Sequence, residues 1–148
     1  MPKGPPIPVR FESAVAARLA SFVASRPGLS LSGAANLLVD EGLRMTEHPG
    51  IVFRDGPSGR RAGCTNGPDV WEVVRAVKSA RGANPTLGED EVLDLVVDNG
   101  GLPLRLVRTA VSYWARYPDE IDAEIERAQE AEHAAEVAFE RQRDLLAR

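Results

Sequence analysis

Ile7-Pro8-Val9-Arg10-Phe11 alternates apolar and other residues over the length of one short strand, with Ile7, Val9 and Phe11 on one face and Pro8 and Arg10 on the other. The first eight residues hold four of the eleven prolines, so an extended lead-in precedes this strand. From Ser13 to Arg26 the period changes. Val15, Leu19, Phe22 and Val23 recur at spacings of three and four, which predicts an amphipathic helix, and Pro27-Gly28 stops it. Ser30 suits the N-cap of a second helix running to about Met45, with Leu31, Ala35, Leu38, Val39 and Gly42 on its buried stripe. A lone strand needs a partner, and fewer than about 50 residues bury too little surface to stand alone. The reading therefore predicts a homodimer paired through this N-terminal ribbon.

The chain has 148 residues, 43% of them hydrophobic and 27% charged, which fits one or two small units and excludes a TIM barrel. Cys64 is the single cysteine, and His48 and His133 lie far apart, so no internal disulfide, metal site or other cofactor is expected. The longest apolar runs, such as Val92 to Val97 interrupted by Asp94, fall far short of the ~20 residues a membrane helix needs. Met1-Pro2-Lys3-Gly4-Pro5-Pro6 lacks the apolar core of a signal peptide, and the expected location is the reducing cytoplasm.

The net charge of −4 hides a gradient. Residues 1–50 carry five basic and four acidic side chains, residues 51–117 nine and eight, and residues 118–148 four and ten. A nearly neutral body is followed by an acidic tail, a division of labour between regions.

Glycines and prolines punctuate residues 46–68, where Ile51 to Arg54 and Arg61 to Cys64 read as two strands joined at Gly56-Pro57-Ser58-Gly59. Three helical patterns follow. Asp69 caps the first, with Val70, Val73, Val74 and Val77 inward and Gly82 at its end; Thr86-Leu87-Gly88-Glu89 reads as a capping box before Val92, Leu95 and Val96. Asn99-Gly100-Gly101 turns the chain into a helix from about Pro103 with Leu104, Val107, Val111 and Trp114 inward, and helix, glycine turn, helix is also the pattern of a helix-turn-helix. The final thirty residues are free of glycine and proline and favour helix, with a thin apolar seam of Ile121, Ile125, Ala128, Ala135, Phe139 and Leu146. So narrow a seam anchors no core by itself; the helix packs on a partner or stays partly mobile.

The strand and two helices over residues 7–45 resemble the ribbon-helix-helix DNA-binding domain of the Arc, MetJ and CopG repressors. That resemblance implies a two-chain ribbon in the major groove with Arg10 as the base or phosphate contact, while the second helix presents Ser30 and the amides of Leu31 and Ser32 to the DNA backbone. Pro8 fits the ribbon if its missing amide faces away from the paired strand. His48-Pro49-Gly50-Ile51-Val52-Phe53-Arg54-Asp55-Gly56, Gly59-Arg60-Arg61-Ala62-Gly63, Gly67-Pro68-Asp69-Val70-Trp71-Glu72-Val73-Val74 and Tyr113-Trp114-Ala115-Arg116-Tyr117-Pro118-Asp119-Glu120-Ile121-Asp122 resemble the small bacterial antitoxin-like family named domain of unknown function 433. Members are similar to antitoxins of VapBC-type modules. The resemblance implies an antitoxin dimer that represses its own operon on double-stranded operator DNA and neutralises a PIN-like ribonuclease toxin.

No nucleophile elbow, phosphate-binding loop or dinucleotide fingerprint is present, so no catalytic residue and no enzyme activity are expected. Arg54, Arg60 and Arg61 concentrate positive charge on the hairpin, either for phosphate contact or as surface charge paired with Asp55 and Asp69. Arg105 and Arg108 lie on the polar side of their helix, as recognition residues or as ordinary solvated charge. Trp71, Tyr113, Trp114 and Tyr117 read as core and domain-interface aromatics rather than base-stacking platforms. A toxin holding metal with carboxylates would be blocked by an inserted arginine, for which the tail offers Arg141, Arg143 and Arg148, then Arg127, with Phe139 and Leu146 as apolar anchors. The alternatives for the tail are a solvated helix or a homodimeric coiled coil. The expected fold is mainly α: a ribbon-helix-helix unit over 1–47, a helix-turn-helix or winged-helix-like unit with a short β-hairpin over 48–118, and an acidic helix over 119–148. A stand-alone regulator and a dimeric protein-binding adaptor remain the alternative functions.

Overall fold

The computed structural model describes residues 4–147. It is mainly helical, in the order α1 (Ser13–Ala24), α2 (Leu31–Glu47), β1 (Ile51–Gly56), β2 (Gly59–Cys64), α3 (Val70–Ala83), α4 (Glu89–Gly100), α5 (Leu104–Arg116) and α6 (Pro118–Leu146). The chain divides into two units, Met1–Arg44 and Met45–Arg148.

In the first unit both helices form where the apolar period placed them, but the side chains expected inside are not buried. Among the described residues α1 buries none and α2 buries only Ala34 and Glu41. Leu31 and Val39, expected on the buried stripe of α2, are exposed, as is Gly42, while Ala35 and Leu38 are half-buried. Two short helices cannot cover each other's apolar faces without further layers. Ser30 caps α2 as its sequence suggests: its Oγ accepts from Gly33 N–H at 2.9 Å, and its carbonyl from Ala34 N–H at 2.8 Å. Arg26 closes α1, donating to the Phe22 carbonyl at 2.9 Å and lying over the Phe22 ring. Ile7 to Phe11, expected to pair with a second copy, is irregular in the single chain, and the two strands among the described residues pair with each other.

The second unit supplies what the first lacks. β1 and β2 pair antiparallel with Ile51 opposite Cys64, Arg54 opposite Arg61 and Gly56 opposite Gly59, so each strand runs two residues further toward the turn than the apolar pattern alone marks. Gly59 at φ 109° takes the left-handed backbone that the tight connection requires. Asp69 begins α3 as expected, and its N–H donates to Glu72 at 2.9 Å. The α4 start is shifted: Gly88, not Thr86, is the N-cap, and the side chain that returns to it is Glu91, accepting from Gly88 N–H at 2.7 Å. Gly101 at φ 64° closes α4, and Pro103 precedes α5.

Tyr113 is fully buried at the centre of the core, with Ile51, Ala62 and Cys64 from the hairpin and Val70, Val73 and Val74 from α3. Leu93 and Val96 of α4, Val107 and Ala110 of α5, and Ile121 and Ile125 of α6 complete it. The inward faces of α4 and α5 are thus rotated from the expected ones. Leu93 replaces Leu95, Ala110 and Tyr113 take the centre, Val111 and Trp114 are half-buried, and Leu104 is exposed. Periodicity marks a broad stripe; which edge sinks deepest depends on where the neighbouring helices press. Tyr113 meets His48 and Phe53 edge-on and Tyr117 at 4.8 Å between ring centroids, so the aromatics serve the core as read.

The thin seam of α6 does anchor a core over its first turns. Ile121 and Ile125 are buried, and the helix returns antiparallel along α3, with Lys78 paired to Asp122 at 2.6 Å and Arg75 to Glu132 at 2.7 Å. After Ile125 no described residue of α6 is buried, and beyond Glu132 the helix continues for about 20 Å. No helix among the described residues is long and apolar enough to cross a membrane.

Candidate functional site

The hairpin arginines are not one patch. Adjacent residues of a strand point to opposite faces, so the register places Arg54 and Arg61 together on one side and Arg60 with Asp55 on the other. Two guanidinium groups directly opposite each other repel unless an anion lies between them. That anion is Asp69, the N-cap of α3, only 6% exposed: Arg54 Nε donates to its Oδ1 at 3.0 Å, and Arg61 Nε pairs with its Oδ2. Arg54 also donates to the Gly67 carbonyl at 2.8 Å, and Arg61 to Ser58 Oγ at 3.2 Å. Gly63 and Gly56 are part of this device, since a Cβ on Gly63 would collide with the Arg54 guanidinium and one on Gly56 with that of Arg61. Arg60 pairs with Asp55 at 3.6 Å.

Behind this pair, α6 contributes carboxylates. Tyr113 Oη donates to Glu120 at 2.9 Å. Glu124 is pushed up to about 7, first by burial and then by the negative charge of Glu120, against the opposing pull of Arg127 and Arg61. Its Oε2 is buried without a hydrogen-bond partner among the described residues. Glu124 and Tyr113 were outside the sequence-derived sites, since nothing in linear spacing announces that α6 packs back on α3 and α5 and brings Glu124 within electrostatic reach of Arg61 and Asp69. Burial also pushes the Cys64 thiol up to about 11, which makes it an inert core residue at neutral pH.

The remaining candidates are dispersed. Arg10 is exposed in the irregular segment before α1, and Ser30, Leu31 and Ser32 lie exposed at the start of α2. Arg108 is held by Asp90 at 3.2 Å and by Glu89 at 4.0 Å. Arg105, on the first turn of α5, forms no ion pair among the described residues and borders a cavity of about 350 Å³ with Gly50, Thr65 and Thr109. Arg127 is exposed on α6; further along the same helix so are Phe139, Arg141, Arg143 and Leu146, whereas Arg148 lies outside the described residues. Among the described residues no group of three or more His, Cys, Asp or Glu side chains is placed to hold a metal ion. The chain gives no match to any protein-family model, curated protein or solved structure with which it was compared.

Proposed function

We propose that this chain is a non-enzymatic, homodimeric DNA-binding repressor and antitoxin, whose N-terminal unit pairs two copies on operator DNA and whose projecting α6 occupies a PIN-like ribonuclease. The observation that carries this reading is the apolar surface the first unit leaves open. Ile7 is 83%, Val9 66% and Phe11 40% exposed, on one face of an alternating segment, beside exposed Val15, Leu31, Val39 and Leu43 of α1 and α2. Burying each such side chain against a second copy contributes about 1.5–3 kcal/mol, an incentive for pairing. Pairing the strands across a two-fold axis would set two Arg10 side chains and two Ser30-capped helix starts on one face, the disposition that contacts bases and phosphates. Arg105 is a further cation available to a phosphate.

The tail supports the antitoxin half of the reading. Phe139 is 64%, Leu145 75% and Leu146 77% exposed near the end of a helix rich in Glu and Arg, which suits a groove on a partner, with Arg127, Arg141 and Arg143 as polar contacts and Arg148 as the terminal one. One specific observation favours the rival reading of a dimeric adaptor without DNA binding: Arg54 and Arg61 are engaged by Asp69 and Arg60 faces Asp55, so the hairpin presents little unpaired charge to a phosphate.

The test is retardation of the duplex upstream of the chain's own gene, at stated low and physiological salt because phosphate contacts are screened. Retardation by the wild type and its loss in Arg10→Ala, with the dimer intact, is the expected result. A dimer that retards no such duplex at low salt excludes the repressor and leaves the adaptor. For the tail, Phe139→Asp with Leu146→Asp abolishes neutralisation of a co-expressed PIN-like ribonuclease encoded beside the gene; unchanged neutralisation rejects α6 as the binding element.

A further inference from the structure

Between α3, α4 and α5 lies a groove of about 470 Å³ whose floor is Val74, Val77, Val92, Leu93, Val111 and Trp114. Concave, largely apolar spaces of this size between helices, with a few polar groups converging on the mouth, suit small ligands. The mouth here carries Lys78, Arg81 and Arg108 against a single lining carboxylate, Glu89. These cations differ in one respect. Lys78 is paired with Asp122 and Arg108 with Asp90, but Arg81 donates to the Leu87 carbonyl at 2.6 Å and meets no carboxylate among the described residues. The Leu87 bond fixes one edge of the guanidinium and leaves its charge unneutralised at the groove mouth. The indole that forms one wall is fixed too, since Trp114 Nε1 donates to Asp122 at 2.9 Å while Lys78 Nζ lies 5.1 Å from its ring centroid.

We propose that this groove binds a small anionic amphiphile, a carboxylate on an aromatic or branched aliphatic body, with the body on the valines and Trp114 and the carboxylate on Arg81. Charge complementarity selects an anion over a neutral or cationic ligand. A guanidinium forks two parallel hydrogen bonds to a carboxylate, and such charge-assisted bonds are stronger than neutral ones. The proposal is independent of the repressor and antitoxin reading, because it needs neither the second copy nor the projecting half of α6.

Naphthaleneacetate is the probe and its uncharged amide, naphthaleneacetamide, the control, titrated into the labelled full chain and followed by amide NMR shifts. The expected result is saturable shifts confined to α3, α4 and α5, with the amide binding about tenfold more weakly, as befits the loss of a charge-assisted pair. Arg81→Gln weakens the carboxylate by about the same factor and leaves the amide unchanged, a difference that a merely structural role of Arg81 does not produce. Val111→Phe, which fills the floor, weakens both. Equal affinities of acid and amide, or an Arg81→Gln variant that binds both as the wild type does, overturn the proposal. So does binding that is silent in the wild type and emerges in Phe139→Ser, for then the groove is already occupied by the α6 of a second copy.

Discussion

Residues 45–147 and residues 4–44 are built from the same kind of amphipathic helix, yet one set closes a core and the other does not. The second unit has three layers to draw on: a hairpin, the α3, α4 and α5 helices, and the first turns of α6, so that Tyr113 and Ile121 are fully buried. The first unit has two helices and an extended lead-in, and its apolar residues stay largely at the surface. Amphipathicity creates a demand for burial, and the number of layers available decides whether one chain meets it. Where it does not, an apolar face stays exposed, and it is on this face that the proposed pairing rests.

The sharpest way to break this contrast is to make that face polar. Phe11→Glu places a charge on the open face and, if the proposed dimer forms through it, is expected to give monomer where the wild type gives dimer at micromolar concentration in sedimentation velocity, while denaturation of the second unit is unchanged. A variant that stays dimeric places the interface elsewhere. Asp69→Asn attacks the other unit. Arg54 and Arg61 then face each other without their anion, and urea denaturation should show a loss of roughly 2–3 kcal/mol, below the full cost of breaking a buried pair because both guanidinium groups are partly solvated. The proposed dimer should survive.

Glu124→Gln has the opposite sign. The folded carboxyl titrates at about 7, above its ordinary 4.5, so the fold favours the protonated form. Its contribution is fully present below pH 4.5 and is lost as the pH rises toward 7. The variant is therefore expected to be more stable than the wild type by about 1 kcal/mol at pH 8, after allowance for solvent screening, with little difference at pH 4. An equal shift in melting temperature at both pH values would contradict this. Asp122 behaves in the contrary way: the hydrogen bond from Lys78 holds it below the usual carboxylate range, so its stabilisation is lost on acidification. The smallest effect belongs to Arg75→Ala. It removes the pair with Glu132 and the contact with the Trp71 ring, costs about 0.5 kcal/mol, and should speed hydrogen exchange in α6 beyond residue 129 without altering the core.

Much of the fold was legible in the linear pattern, and the exceptions share a cause. The helix at Ser13, the cap at Ser30, the hairpin turn at Gly56 to Gly59 and the start at Asp69 rest on local chemistry, which acts within a few residues and survives any tertiary context. The choice of Leu93 over Leu95, and of Ala110 and Tyr113 over Leu104, depends on the angles at which helices distant in sequence meet. The candidate site divides in the same way. Pairing of the hairpin arginines with Asp55 and Asp69 was one of two readings open from charge alone, and the strand register separates Arg60 from the other two. Glu124 was invisible because its neighbours, Asp69 and Arg61, lie more than fifty residues away along the chain.

By itself, then, the sequence determined the mainly helical class, the positions of most caps and turns, and the segregation of acidic charge into the last thirty residues, because each is set by neighbours within one or two helical turns. Only the tertiary structure decided that α6 folds its first turns into the core and leaves the rest exposed, that Asp69 gathers Arg54 and Arg61, and that Arg81 stands unneutralised at the mouth of an apolar groove. Those outcomes depend on distances between residues far apart in the chain, and such distances exist only once the layers have packed.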